Sequence, residues 1–191
     1  MITLGIDIGS ATSKCVLLRD GKDIIASSIV NGGIGTEGSE EARSMVMTQS
    51  GIGPEDIDYV VATGYGRSLY EQADAQISEL SCHAIGAHAI FPDVRTVIDI
   101  GGQDVKVMAL DEHGRMKDFL MNDKCAAGTG RFLEVMANVL RMRVDELEVC
   151  AARAEKPAAI SNTCTVFAES EVISQLANGV SRDDLVAGIC D

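Results

Sequence analysis

"GIDIGSATSKCVLL" (residues 5–18) and "VIDIGGQDVKVMAL" (residues 97–110) follow one plan. Each is an apolar run that reaches an Ile-Asp-Ile-Gly step, then resumes as a second apolar run. The steps are Ile6-Asp7-Ile8-Gly9 and Ile98-Asp99-Ile100-Gly101. Chance readily produces one such step. Two copies, each set between a buried strand and a second strand, point to an internal duplication. The reading is strand, glycine turn, returning strand, made twice.

"SKCVLLRDGKDIIASSIV" reads as a hairpin with Asp20-Gly21 at its tip. "GSEEARSMVMTQSG" has helical spacing, with Ser39 as the expected cap and Gly51 as the stop. "IDYVVATGYG" is another apolar strand running into glycines, and residues 71–91 read as helical up to Pro92. The second passage continues through a Glu-His-Gly turn into a further strand, and after residue 128 the pattern is mostly helical. The expected division is a first lobe over 1–92 and a second over 93–191.

Composition narrows the function classes. The chain has 191 residues, 46% hydrophobic and 24% charged, an ordinary globular balance. Its net charge of -13 offers nothing to nucleic-acid phosphate, and 4% aromatics with no Trp leave little for base stacking. No apolar run approaches the roughly 20 residues that span a bilayer. "MITLGIDIGS" has no basic leader and meets an acid at Asp7, so a cytoplasmic protein is expected. The six cysteines are too widely spread for a zinc ribbon or a disulfide scaffold.

Each Asp-Gly turn sets a carboxylate at a strand end, and glycine lets successive N–H groups point inward as an anion nest. Asp7 and Asp99 are poor direct partners for phosphate, but a magnesium ion between them reverses the electrostatics. Ser10, Thr12 and Lys14 add hydroxyls and a cation to the first loop; Gln103 and Asp104 add polar groups to the second. The plain alternative is a pair of hairpin turns using Asp and Gly for geometry alone.

A second pairing is "NDKC" (122–125) with "SNTC" (161–164), in which Asn122 or Ser161 stands three residues before a cysteine. Apolar stripes follow: Phe132, Leu133, Met136, Val139 and Leu140 in one, Phe167, Val172, Ile173 and Leu176 in the other. Cys125 and Cys164 are thus expected in or near first helical turns, where free N–H groups favour thiolate. Two thiolates are half of an iron–sulfur donor set, and a twofold pair of chains supplies the other half. Two inert cysteines on core helices are the alternative.

"DIGSATSK" and "DIGGQD" resemble the phosphate-1 and phosphate-2 loops of the actin, sugar-kinase and heat-shock-chaperone superfamily (the actin-like or ASKHA ATPase fold), an α/β class in which two ribonuclease-H-like lobes clamp ATP. The resemblance implies that Asp7 holds Mg²⁺ through water and that Lys14 reaches the β/γ-phosphates. It implies nucleotide contacts from Gly9, Ser10, Ala11, Thr12, Gly101, Gly102 and Gln103. Asp99 would orient or deprotonate the attacking water, with Gln103 nearby.

More closely, "LGIDIGSATSK", "ATGYGR", "ISELSCHAIGAHAIFP", "VIDIGGQDVKV", "NDKCAAGTGRFLEVMA" and "SNTCTVFAESEVISQLANG" resemble the activator ATPases of 2-hydroxyacyl-CoA dehydratases and the ATPase subunits of benzoyl-CoA reductase, the BadF/BadG/BcrA/BcrD type. These stretches run in order along nearly the whole chain. The resemblance implies a homodimer in which Cys125 and Cys164 of each copy hold one 4Fe–4S cluster, with Gly128, Thr129 and Gly130 approaching ATP. It also implies charging by reduced ferredoxin or flavodoxin and delivery of a low-potential electron to a dehydratase. Cys15, Cys82, Cys150 and Cys190 match no ligand position. For Thr63-Gly64-Tyr65-Gly66-Arg67 a lobe hinge and a partner surface both stand open. After Gly130 only Gly179 and Gly188 occur, in no adenosine-seating Gly-Gly motif, so a C-terminal part is expected to be missing and nucleotide affinity to be weak. The alternatives are an ATPase subunit of a benzoyl-CoA-type reductase, a sugar or N-acetylhexosamine kinase, and a nucleotide-gated binding module.

Overall fold

The computed structural model describes residues 1–191, a mixed α/β chain with two sheets. Strands β1 (Ile2–Ile8) and β2 (Thr12–Arg19) form an antiparallel hairpin in which Asp7 pairs with Lys14 across the ladder. β3 (Asp23–Asn31) follows a turn where Asp20 (φ 53°) and Gly21 (φ 70°) are both left-handed, a geometry an Asp-Gly pair tolerates. Helix α1 (Gly38–Ser50) leads to β4 (Tyr59–Thr63), parallel to β1, and to the short β5 (Ala75–Gln76). The sheet order is β3-β2-β1-β4-β5. Period-two alternation sends Leu4, Ile6, Ile8, Cys15 and Leu17 into one core with Ala42 and Val46 of α1.

Two helix starts differ from the sequence reading. Glu37, not Ser39, occupies the N-cap of α1, and the Thr36 hydroxyl accepts the Gly38 N–H at 3.1 Å. Gly51 does close that helix in a left-handed conformation, φ 69°. The helix expected over 71–91 begins only at α2 (Glu79–Ile90). The residues ahead of it form a turn and the short β5 instead, because the Asp74 carboxylate accepts the Val60 N–H at 2.7 Å and β5 pairs with β4. Ser78 then caps α2 by accepting the Ser81 N–H.

The second passage folds as β6 (Thr96–Ile100), β7 (Val105–Leu110) and β8 (Met116–Asn122), in that order in the sheet. The turn into β8 is tied by Asp111, whose carboxylate accepts the N–H groups of His113 and Arg115. Here the covered face is the opposite one. In β1 the isoleucines flanking the Asp are buried, whereas Ile98 and Ile100 are 66% and 64% exposed and the strand is not the buried one expected. The cause is the covering helix. Leu80 and Ala84 of α2 pack with Val97, Met108 and Leu110, the alternate positions.

The remainder is helical: α3 (Gly130–Val139), α4 (Leu147–Ala151), α5 (Thr165–Ala177) and α6 (Arg182–Cys190). Phe132, Met136 and Leu140 join Ala168, Val172, Leu185 and Val186 in a separate core. The stripe read for α3 is the buried one. Of that read for α5 only Val172 is buried; Phe167, Ile173 and Leu176 face outward, because the small Ala168 shares the packed strip instead. The chain divides into two compact units, Met1–Ile98 with Val107–Leu120, and Asp99–Lys106 with Met121–Asp191. No helix is long and apolar enough to cross a membrane.

Candidate functional site

In the first unit the turn after β1 is tied back through its carbonyls. The Gly9 N–H donates to the Thr12 carbonyl at 3.0 Å, and the carbonyls of Gly9 and Ala11 accept from Ile34 and Gly32. The N–H groups of Ser10 and Ala11 donate to no backbone carbonyl. The loop therefore spends its acceptors inward and keeps a donor edge, the polarity an anion requires. Beside it, Lys14 Nζ lies 2.9 Å from Asp7 Oδ2, with the two side chains 38% and 23% exposed.

The segment Thr63 to Arg67 walls this carboxylate. Gly64 is left-handed, φ 85°, and a Cβ there would overlap Oδ1 of Asp7. The Gly66 N–H donates to the Ile8 carbonyl at 2.9 Å, and Arg67 donates to the Gly64 carbonyl at 2.9 Å while pairing with Glu79. Sequence reasoning left this segment without a role; only the fold reveals that it backs Asp7.

In the second unit the turn after β6 repeats the device with a different outcome. The Gly101 N–H donates to the Asp104 carbonyl at 2.8 Å, and the N–H groups of Gly102 and Gln103 donate to no backbone carbonyl. Gln103 is exposed. Lys106, 3% exposed, stands between Asp104 Oδ1 at 2.7 Å and Asp99 Oδ2 at 3.4 Å. The sequence reading missed Lys106, although laying "DIGSATSK" over "DIGGQDVK" sets it opposite Lys14.

This turn is joined to the start of α3. The carbonyls of Gly101 and Gly102 accept the N–H groups of Gly130 and Arg131 at 3.0 and 2.8 Å, using two donors that a helix start otherwise leaves unpaired. Thr129, the N-cap, donates both its N–H (3.0 Å) and its hydroxyl (2.6 Å) to the Ala126 carbonyl. Gly128 is left-handed, φ 78°.

Cys125 precedes that loop and lies outside the first turn of α3, contrary to the expectation of a helix-start cysteine. Asn122 is no helix cap. Its Oδ1 accepts the N–H groups of Lys124 and Cys125, both at 3.3 Å, a local Asx turn that competes with helix. Cys164 is itself the N-cap residue of α5, and its carbonyl accepts the Ala168 N–H at 3.0 Å. Both thiols are free and half-buried. Cys15 and Cys150 are buried, and burial pushes the Cys15 thiol up to about 12. No three His, Cys, Asp or Glu side chains gather as a metal group within the chain.

A model of the BadF/BadG/BcrA/BcrD ATPase family matches residues 4–191. The activator of lactoyl-CoA dehydratase from Anaerotignum propionicum is 58% identical over 99% of this chain and 73% of that protein. The (R)-2-hydroxyglutaryl-CoA dehydratase activating ATPase of Acidaminococcus fermentans is 57% identical over 98% of this chain and 72% of its own length. The solved activator of 2-hydroxyisocaproyl-CoA dehydratase from Clostridium difficile, with bound ADPNP, superposes with a TM-score of 0.94 at 54% identity, covering 99% of this chain and 70% of that one.

Proposed function

The chain belongs to the BadF/BadG/BcrA/BcrD ATPase family, and on that premise we propose that it hydrolyses ATP to activate a 2-hydroxyacyl-CoA dehydratase by electron transfer. In each unit taken by itself, the Asp turn offers outward N–H groups to phosphate oxygens. Ser10, Ala11, Thr12 and Lys14 bind in the first, and Gly101, Gly102 and Gln103 in the second. Asp99 orients the attacking water and takes its proton. Asp7 fits a magnesium ion held through water, since a partly exposed carboxylate beside a donor edge is a hard oxygen ligand.

Cys125 and Cys164 fit half of a 4Fe–4S donor set, being two free, half-buried thiols in one unit. A second copy supplies the other two, and exposed Val166 and Phe167 beside Cys164 offer apolar surface for that contact. When bound, the cluster supplies a low-potential one-electron carrier, charged by reduced ferredoxin or flavodoxin.

The observation that carries the reading is the pair of hydrogen bonds from Gly130 and Arg131 to the Asp99 turn. Thr129 grips Ala126, and Ala126 is bonded to Cys125, so a shift of the turn during hydrolysis is transmitted to a sulfur ligand without a flexible linker. The test is anaerobic reconstitution with iron and sulfide. A brown protein with about four irons per two chains is expected, while Cys125→Ser and Cys164→Ser are colourless and fail to activate a dehydratase. A colourless protein that activates equally well overturns it.

A further inference from the structure

We propose that Lys106 is a positioning residue: anchored by Asp104, it holds the Asp99 carboxylate in the orientation from which Asp99 acts on the attacking water. The inference rests on the reading of Asp99 given above and names a part of that site neither the duplication nor the comparisons assign.

The contrast between the two repeats carries it. Both place a lysine seven residues after the aspartate, Lys14 after Asp7 and Lys106 after Asp99. At these equal positions the lysines end in different surroundings. Lys14 is 38% exposed, with Asp7 as its carboxylate partner, so it is free to turn toward an arriving anion. Lys106 has a side chain only 4% exposed and lies between two carboxylates. It cannot reach a ligand without leaving the buried Asp104 carboxylate unpaired, which is costly. What it can do is hold Oδ2 of Asp99 in a set direction from a fixed point of positive charge.

Asp104 is built to serve as the anchor. It is 4% exposed, and a Cβ on Gly101 would overlap its Oδ1, so the glycine of the turn admits this carboxylate. The shorter distance is to Asp104 (2.7 Å) and the longer to Asp99 (3.4 Å), as expected of a lysine held by one acid and aimed at the other. Lys106 is thus a fixed cation where Lys14 is a transferable one.

The experiment measures thermal midpoint and steady-state ATPase constants on the purified protein and on variants. Lys106→Met leaves two carboxylates facing each other, so it loses both stability and turnover. The double variant Lys106→Met/Asp104→Asn carries no such clash and recovers the midpoint. Its kcat is expected to stay about 100-fold low, with KM for ATP within about threefold of the parent, and adding Asp99→Asn costs little more because all act on one step. If kcat returns together with the midpoint, Lys106 is only structural and the proposal is overturned. If KM rises while kcat holds, it is a binding residue and the proposal is equally overturned. A parent protein that hydrolyses no ATP removes the reading of Asp99 itself, an outcome distinct from both.

Discussion

Cys15 shows what a single buried group does to the stability of its unit. It sits in the sheet core at 3% exposure, and burial raises its thiol from the ordinary 9.0 to about 12. The fold therefore keeps the proton where the unfolded chain loses it. The contribution is fully present below pH 9 and is lost as pH climbs from 9 toward 12. Its slope is about 1.4 kcal/mol per pH unit. Urea titrations across that range are expected to show the loss, and Cys15→Ala removes the slope; an unchanged slope contradicts the assignment. Lys14 and Lys106 teach the complementary lesson. Equal positions in a repeated sequence give a half-exposed cation in one copy and a buried one in the other.

The start of α3 is an element in which helix geometry and the candidate site are one structure. A Cβ on Gly130 would lie 3.5 Å from the Gly101 carbonyl and 3.6 Å from Gly102 Cα, an ordinary contact. Gly130→Ala is accordingly expected to keep both ATP hydrolysis and electron delivery. The γ-methyls of Gly130→Val reach further and press on the Asp99 turn. ATPase and bound iron are expected to persist while activation of a dehydratase falls at least about tenfold, since a displacement on the ångström scale costs that much in a positioned reaction. Survival of both functions in the valine variant sinks the coupling argument. Elements were otherwise legible where their signals were local. The left-handed Asp20-Gly21 tip, the Gly51 stop and the Asp111 to Gly114 turn all stand where sequence reading put them. The front of α2 and the surroundings of Cys125 were not, because Asp74 and Asn122 bond to backbone outside any helix.

For the whole molecule, the proposed pairing of chains through Cys125 and Cys164 has a direct consequence in mass. Loaded with iron and sulfide, the protein is expected to scatter light at twice the 20.2 kDa of one chain, while Cys164→Ser stays at one. A loaded protein that remains single speaks against sharing the donor set. Local patterning encoded two strand–Asp-Gly–strand passages, the turn residues and the apolar stripe of α3. Those depend on φ preferences and side-chain period, properties of neighbouring residues alone. The tertiary fold set which face of each hairpin is covered, buried Lys106 and left Lys14 half-open. It also placed Gly64 against Asp7 and tied Gly130 to the Asp99 turn. The physical reason is that burial and hydrogen-bond partnership belong to pairs of surfaces, and the second surface is supplied by segments tens of residues away.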